Sequence, residues 1–287
     1  MIPLDQNKLI NFKSGLYVVS TPIGNLMDIT LNAIKILKMS DLVLCEDTRV
    51  SKKLLDKHDI KSKRLLAYHK FNEKRSLSKV IKLLENKKIV SIISDAGTPC
   101  ISDPGNVLIN ECIKNQINIF SIPGPSSVIS AVSISGFSDK FIFYGFFPEK
   151  TKDIIKDLGI LSKLNLTIVF FISAKKFKKS SEYLEKFFSG RNILICKELT
   201  KMYEQHFRLK VSKIKDFNID LRGEITLVIS QKDKAESEKE LDEQDRLLIK
   251  KLIKTLSIKD IVTVIKKNKD IPKKEIYNYC IQIKNEN

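Results

Sequence analysis

Short apolar runs rich in β-branched residues alternate with segments of helical periodicity from the start of the chain. The runs predict five strands, at residues 17–19, 42–45, 65–67, 89–93 and 117–122. Apolar residues between them recur at helical spacing, and Asp28 is the predicted N-cap of the first helix. Alternating strands and helices are typical of an α/β domain with a parallel or mixed sheet.

The same alternation starts again after Pro123. It predicts a helix at residues 128–134 and strands at 141–144, 166–171, 193–196 and 225–229, which together make a second α/β unit. The next segment is almost wholly charged, as a solvated linker is, and a small helical module similar to a helix-turn-helix follows it. The predicted organisation therefore has four parts: residues 1–122, 123–231, 232–246 and 247–287.

Composition is typical of a globular protein with an anionic partner. The chain has 287 residues, 43% hydrophobic and 30% charged, and a formal net charge of +17. Nucleic acid is the commonest partner of so basic a protein, but lysine is abundant along the whole sequence, so charge alone leaves the partner open. Proline and glycine at residues 123–125 interrupt the uncharged stretch 115–138, so no membrane span is predicted. Residues 1–5 show no secretory pattern, and we expect a cytoplasmic protein.

Several common site types are absent from the sequence. The five cysteines form no C-x-x-C pair, which favours buried, reduced thiols. His58, His69 and His206 are far apart in sequence, so no metal site is predicted. Neither a P-loop nor a G-x-G-x-x-G fingerprint occurs. A P-loop nucleotidase and a dinucleotide-binding Rossmann domain are therefore disfavoured.

Four loops follow predicted strands and carry unusual residues, at positions 20–26, 46–49, 94–105 and 123–127. Ligands of open α/β sheets bind beyond the carboxyl ends of the strands, where these loops meet. Glycine and alanine allow a ligand to approach the backbone, and helix N-termini offer free N–H groups. The loops 94–105 and 123–127 therefore predict a site for a polar molecule of nucleoside size.

These loops also carry a family resemblance. The segments Thr-Pro-Ile-Gly-Asn-Leu (21–26) and Ser-Asp-Ala-Gly-Thr-Pro (94–99), with residues 45–49, 123–126, 198–201 and 222–224, resemble the ribosomal RNA small subunit methyltransferase I family. That family is a branch of the tetrapyrrole methylase superfamily. The resemblance covers nearly the whole chain, including the helical C-terminus.

The resemblance implies an S-adenosylmethionine-dependent enzyme that methylates the ribose 2′-hydroxyl of a cytidine in the decoding region of 16S rRNA. It further implies two α/β domains with the cofactor in the cleft between them, a homodimer, and rRNA met within the assembled subunit. The implied cofactor-binding residues are Pro22, Ala96, Gly97, Thr98, Ile101, Ser126, Ser127, Ile172, Leu199, Glu224 and Ile225. The implied substrate-binding residues are Gly24, Asn25, His69, Asn72 and Lys201.

The catalytic assignment stays open between several carboxylates. A ribose hydroxyl is a poor nucleophile at neutral pH and needs a base, or cations that favour the developing alkoxide. We predict that Asp47 or Asp95 takes the proton while Arg49 orients the sugar or its phosphate, and Glu46 is a further candidate. Two other functions remain: a tetrapyrrole methyltransferase, and a non-catalytic RNA-binding ribosome-assembly protein. Ile172 keeps the latter open, because the family commonly has an acid there.

Overall fold

The computed structural model describes residues 12–61, 64–217, 223–232, 241–268 and 271–285. Its first sheet consists of the strands β1 (Gly15–Val19), β2 (Leu42–Cys45), β3 (Leu65–Ala67), β4 (Ile89–Ile93) and β5 (Ile119–Ile122). They lie in the order β3-β2-β4-β1-β5, and every pairing is parallel. All five predicted strands are present, because their apolar runs are buried between two layers of helices.

Four helices cover the two faces of this sheet: α1 (Leu31–Met39), α2 (Thr48–Lys57), α3 (Glu73–Glu85) and α4 (Asn106–Lys114). Helices α1 and α2 contribute to the core of one face, and α3 and α4 to that of the other. The predicted cap Asp28 is wrong. Thr30 caps α1, because its hydroxyl reaches the Ala33 N–H at 3.2 Å, whereas Asp28 belongs to a preceding turn closed on Asn25.

The second sheet is mixed. Its strands are β6 (Phe141–Phe146), β7 (Thr167–Ser173), β8 (Asn192–Lys197), β9 (Gln205–Lys210) and β10 (Glu224–Ile229), in the order β6-β7-β10-β8-β9. Only β6 and β7 are parallel among these pairings. The pattern did not predict β9, nor the helices α6 (Thr151–Leu161) and α7 (Ala174–Phe188), which cover one face together with a 3-10 helix (Val211–Asp216).

The other face of the second sheet meets the first domain. Helix α5 (Ser127–Ser133) follows β5 directly and packs its Val128 and Ala131 against this face. Ile23, from the loop after β1, belongs to the same apolar cluster. The loop after β8 adds a polar contact, since the Asn25 N–H donates to the Thr200 hydroxyl at 3.0 Å. The carboxyl edge of the first sheet thus faces the second sheet.

Three C-terminal helices form a separate cluster: α8 (Glu243–Leu252), α9 (Ile258–Asn268) and α10 (Lys273–Asn285). Helix α8 begins within the segment 232–246 that was predicted as a linker, because Asp242 and Asp245 form a reciprocal capping box. Residues 233–240 of that segment lie outside the described residues. Among the helices of the described ranges, none is long and apolar enough to cross a membrane.

Candidate active site

The loops after β1, β4 and β5 are joined by hydrogen bonds at the carboxyl edge of the first sheet. Thr21 and Gly97 exchange two backbone hydrogen bonds of 2.8 and 3.2 Å, in which each N–H donates to the other residue's carbonyl. The Thr98 hydroxyl lies 3.1 Å from the Ser20 hydroxyl and donates to the Pro125 carbonyl at 3.4 Å. The sheet order therefore brings three of the predicted loops together, as parallel strands β4, β1 and β5 are neighbours.

These loops and the second sheet enclose a cavity of about 520 Å³. Most residues of the predicted site line it: Glu46, Asp95, Ala96, Gly97, Thr98, Ile101, Ser126, Ser127, Ile172, Leu199, Lys201, Glu224 and Ile225. The other predicted site residues lie outside its wall: Pro22, Gly24, Asn25, Asp47, Arg49, His69 and Asn72. The wall also contains residues that were not predicted: Ile23, Ser102, Asp103, Val128, Phe146, Phe171, Ser173, Cys196 and Thr226.

The wall combines apolar side chains with polar groups of the loops. Ile172 and Ile225 are paired neighbours on β7 and β10, and both are buried. An isoleucine at 172 therefore completes an apolar wall continuous with the core of the second domain. Across from it, Ala96 and Gly97 present backbone, and Ser126 caps α5. Such a mixture of apolar surface and few fixed polar groups is typical of a cofactor pocket.

Three carboxylates line one end of the cavity, and Asp103 is the one that was not predicted. Burial, followed by repulsion from Glu46 and Asp95, raises the pKa of Asp103 to about 6. Burial also raises the pKa values of Glu46 and Asp95, and the charge of Asp95 adds to the effect on Glu46. The Asp95 carboxylate accepts a hydrogen bond of 3.1 Å from the Asp47 N–H.

Asp47 has a structural role that the sequence did not predict. Its carboxylate caps α2 by accepting from the Arg49 N–H at 2.8 Å, and it pairs with the Arg49 guanidinium at 2.6 Å. These hydrogen bonds from Arg49 lower the pKa of Asp47 to about 2. A carboxylate with so low a pKa is a weak proton acceptor at neutral pH. The Arg49 side chain is 87% exposed and paired with Asp47 outside the cavity wall, and its contact with the sugar or its phosphate stays a prediction.

The loop after β8 brings Lys201 into the wall through a network of ionic contacts. The Glu198 carboxylate accepts from the Glu224 N–H at 2.9 Å and from Lys201 Nζ at 3.2 Å, and Lys201 also contacts the Glu224 carboxylate at 2.8 Å. Burial lowers the pKa of Lys201, but the pairs with Glu224 and Glu198 outweigh it, so the pKa is raised. Gly24 lies against this loop, because an added Cβ would stand 2.5 Å from Lys201 Cγ.

The turn between β3 and α3 separates the two aromatic residues beside His69. Tyr68 is buried in the core of the first domain, whereas Phe71 is 97% exposed. Asn72 shapes this turn: its Oδ1 accepts from the His69 N–H at 2.8 Å, and its Nδ2 donates to the Ala67 carbonyl at 2.8 Å. Asn72 thus stabilises the turn that carries His69, and its contact with a substrate stays a prediction.

Sequence reasoning missed Asp103 because Ser-Asp-Pro-Gly at 102–105 reads as an ordinary turn. The backbone there is unusual, since Cys100 and Ser102 have φ values of 67° and 69°. This left-handed conformation is costly for residues other than glycine, and residues that adopt it are often found at functional sites. The two left-handed residues lie on either side of Ile101 in the loop that places Ile101, Ser102 and Asp103 in the cavity wall.

Comparison with known proteins defines the class of this site. A family model described as Tetrapyrrole (Corrin/Porphyrin) Methylases matches residues 15–215. The fold is similar to that of the methyltransferase CobJ, with a TM-score of 0.58 and 13% identity over 76% of this chain and 94% of that one. It is also similar to uroporphyrin-III C-methyl transferase from Thermus thermophilus complexed with S-adenyl homocysteine, with a TM-score of 0.55 and 13% identity over 75% and 97% of the two chains. The fold is therefore that of a tetrapyrrole methylase.

Relatives of higher identity narrow the assignment. A Rickettsia prowazekii protein named Ribosomal RNA small subunit methyltransferase I is 40% identical over 93% of this chain and 96% of its own. A Thermotoga maritima protein of the same name is 43% identical over 76% of this chain and 99% of its own. The chain belongs to the ribosomal RNA small subunit methyltransferase I family. Its cofactor is S-adenosylmethionine, and the cavity suits that molecule in volume and in its wall of backbone, hydroxyl and apolar groups.

Proposed function

We propose that this chain methylates the 2′-hydroxyl of a cytidine ribose in the decoding region of 16S rRNA, within the assembled small subunit. The name shared by its relatives supports small-subunit rRNA as the substrate. One structural observation carries the chemistry: the loop 95–98 and the carboxylates of Glu46, Asp95 and Asp103 line the same cavity. This arrangement supports a site in which the loop would hold the cofactor and a neighbouring carboxylate would accept the proton.

Different residues of the wall would bind the cofactor and exclude water. Backbone groups at Ala96 and Gly97, and the hydroxyls of Thr98 and Ser126, would hold S-adenosylmethionine. When bound, the cofactor supplies an electrophilic methyl group on a positively charged sulfur. The apolar wall that contains Ile172 keeps water away from the reacting atoms, and catalysis gains from the fixed position of the ribose oxygen.

The rim of the cavity supports an RNA substrate. The exposed ring of Phe71 lies in the turn whose Lys70 and His69 charges act on Glu46 in the wall. An exposed aromatic ring can stack on an unpaired base, and neighbouring lysines can contact phosphates. Lys52 and Lys53 on α2 and Lys74 on α3 supply further positive charge on the same domain. A tetrapyrrole substrate would not require this arrangement.

Three further parts of the proposal rest on the family rather than on geometry. They are the choice of cytidine, action as a homodimer, and a cytoplasmic location. Sedimentation velocity on the full chain measures the oligomeric state directly. A monomer at micromolar concentration would contradict the dimer and leave the proposed chemistry standing.

The decisive experiment is transfer of labelled methyl from S-adenosylmethionine to small ribosomal subunits that lack the modification. Naked 16S rRNA and a tetrapyrrole precursor are tested in parallel, and any labelled nucleotide is mapped. We expect the label on one cytidine ribose of the subunit RNA. Label on the tetrapyrrole alone would show that the substrate is wrong. Cofactor binding without transfer would favour a ribosome-assembly protein that has lost its chemistry.

A further inference from the structure

Four carboxylates line the cavity: Glu46, Asp95, Asp103 and Glu224. Glu224 is exposed and paired with Lys201, and the methylation of a hydroxyl requires that one of the other three takes its proton. We propose that Asp103 is this group, a further catalytic residue that accepts the proton of the ribose 2′-hydroxyl. The inference rests on the proposed function, because it presupposes a ribose substrate. Two observations support it: Asp103 lies in the cavity wall, and the other carboxylates of the wall are more exposed to solvent or are already hydrogen-bonded.

The other carboxylates are less suited to the role. The Asp95 carboxylate receives the Asp47 N–H, a contact that ties the loop after β4 to the loop after β2. Glu46 and Asp95 are both exposed residues, whereas Asp103 is half-buried. Asp47 caps α2 outside the cavity wall. Asp103 is therefore the most desolvated carboxylate of the wall, and desolvation strengthens a carboxylate as a base.

The loop holds Asp103 in a defined place. Gly105 has a φ of 136°, and an added Cβ would lie 2.4 Å from Cys100 Sγ, so the two ends of the turn are packed together. The Ser94 hydroxyl, at the end of β4, donates to the carbonyls of Ala96 and Gly97 at 3.2 and 3.3 Å, which fixes the start of the same loop. Asp103 thus sits on the same loop as the cofactor-binding residues 95–98 and is anchored at both ends.

The charges that act on Asp103 come from its own loop and from two other loops. Glu46 after β2 and Asp95 after β4 repel its negative charge, and Lys70 after β3 attracts it. Burial and the two acids prevail over Lys70, so the pKa of Asp103 is raised to about 6. A base that is ionised at neutral pH, yet has a pKa close to it, is the most effective for proton transfer.

The step balances as a displacement. A lone pair of the ribose oxygen forms the O–CH3 bond while the S–CH3 bond breaks and leaves its electron pair on sulfur, which loses its positive charge. The hydroxyl proton passes to the Asp103 carboxylate and from there to solvent. The products are the 2′-O-methyl ribose and S-adenosylhomocysteine, and the carboxylate is regenerated. No oxidant, reductant or metal is needed.

The test compares Asp103→Asn with the wild type and with Glu85→Gln, an exposed residue at the end of α3. The first readout is independent of turnover: carboxyl 13C NMR of the full chain without cofactor. We expect one carboxyl resonance that titrates near pH 6 and is absent only from Asp103→Asn. S-adenosylhomocysteine binding, measured by calorimetry, should stay within about threefold in all three proteins, because only a proton acceptor is removed.

The second readout is methyl transfer to small subunits. We expect kcat of Asp103→Asn to fall by about 100-fold or more, the usual contribution of a general base, and Glu85→Gln to match the wild type. Asp103→Glu, which keeps an ionisable group, should regain part of the activity and covers the case in which the asparagine variant does not fold.

Three results would overturn the inference. They are an Asp103→Asn kcat within tenfold of wild type, a 13C resonance near pH 6 that survives the substitution, and loss of S-adenosylhomocysteine binding that explains the lost activity. Failure of the wild type to label any ribose would overturn the proposed function itself, and the inference with it. Methyl transfer by the wild type therefore distinguishes failure of the proposed function from failure of the proposal for Asp103.

Discussion

Gly223 offers a sharp test of the network that carries Lys201 into the cavity. Its φ is 87°, and an added Cβ would lie 2.2 Å from Glu198 Oε1. Alanine in the left-handed region costs about 1–2 kcal/mol. It would also displace the carboxylate that receives the Glu224 N–H and Lys201 Nζ, and a hydrogen bond to a charged group is worth about 1.5–3 kcal/mol. We expect Gly223→Ala to lower the free energy of unfolding by about 2.5–5 kcal/mol.

Two other glycines provide matched controls. Gly136 has a φ of 72° and no heavy atom within 4 Å of an added Cβ, so Gly136→Ala isolates the backbone cost of about 1–2 kcal/mol. Gly159 lies in α6, where alanine should be tolerated or stabilise. In thermal unfolding, Gly223→Ala should have the lowest Tm of the three variants, about 5 °C or more below that of Gly136→Ala. If Gly223→Ala unfolds no earlier than Gly136→Ala, the contact with Glu198 contributes nothing and the reasoning is refuted.

Three further predictions follow from the site. Phe71→Ala should lower kcat/KM for small subunits by about tenfold, as the loss of one base stack does, and leave cofactor binding unchanged. Ile113, exposed on α4, provides the control, and an equal loss in Ile113→Ala would contradict the prediction. Truncation after Lys232 should keep cofactor binding and weaken subunit binding most at low salt, since it removes the basic helical module; filter binding across a salt series measures this. Asp103→Asn should raise the free energy of unfolding at pH 7 by up to about 3 kcal/mol and change it little below pH 4. The reason is that the pKa of Asp103 is raised to about 6 in the folded chain, so ionisation of this carboxyl destabilises the wild type as pH rises. Chemical denaturation that gives equal effects at both pH values would contradict it.

The strands were predictable because their chemistry is uniform. The run at 42–45 is apolar throughout, and every residue of β2 is buried, so the sequence pattern matches the final environment. Strand β9 was missed although its alternation is visible: Phe207 and Leu209 turn inward between exposed polar residues. Only pairing with β8 decides such an edge strand, and pairing depends on residues distant in the sequence.

The candidate site also has one part that the sequence predicted and one part that it did not. The parallel order of the strands made the meeting of their loops predictable, and most of the predicted residues of those loops line the cavity. Asp47 shows the limit, because an acid after a strand can serve chemistry or cap a helix, and local sequence does not distinguish the two. The pKa of Asp103 is raised first by burial, and then by Glu46 from another loop and by Asp95 from its own, so no single window of sequence contains the information.

A protein of net charge +17 has several acids in the wall of its cavity. Glu198 and Glu224 are paired with Lys201, whereas Glu46, Asp95 and Asp103 line the cavity together, and the charge of Lys70 acts on Glu46 and Asp103. Burial first, and then repulsion by neighbouring acids, raises the pKa values of these three groups and costs stability, which a purely structural site would avoid. A cationic cofactor inside and an anionic polymer outside account for both features, because each would meet the opposite charge. Net charge is thus consistent with the outer partner without identifying it, whereas the acids of the cavity wall become visible as a group only in the fold.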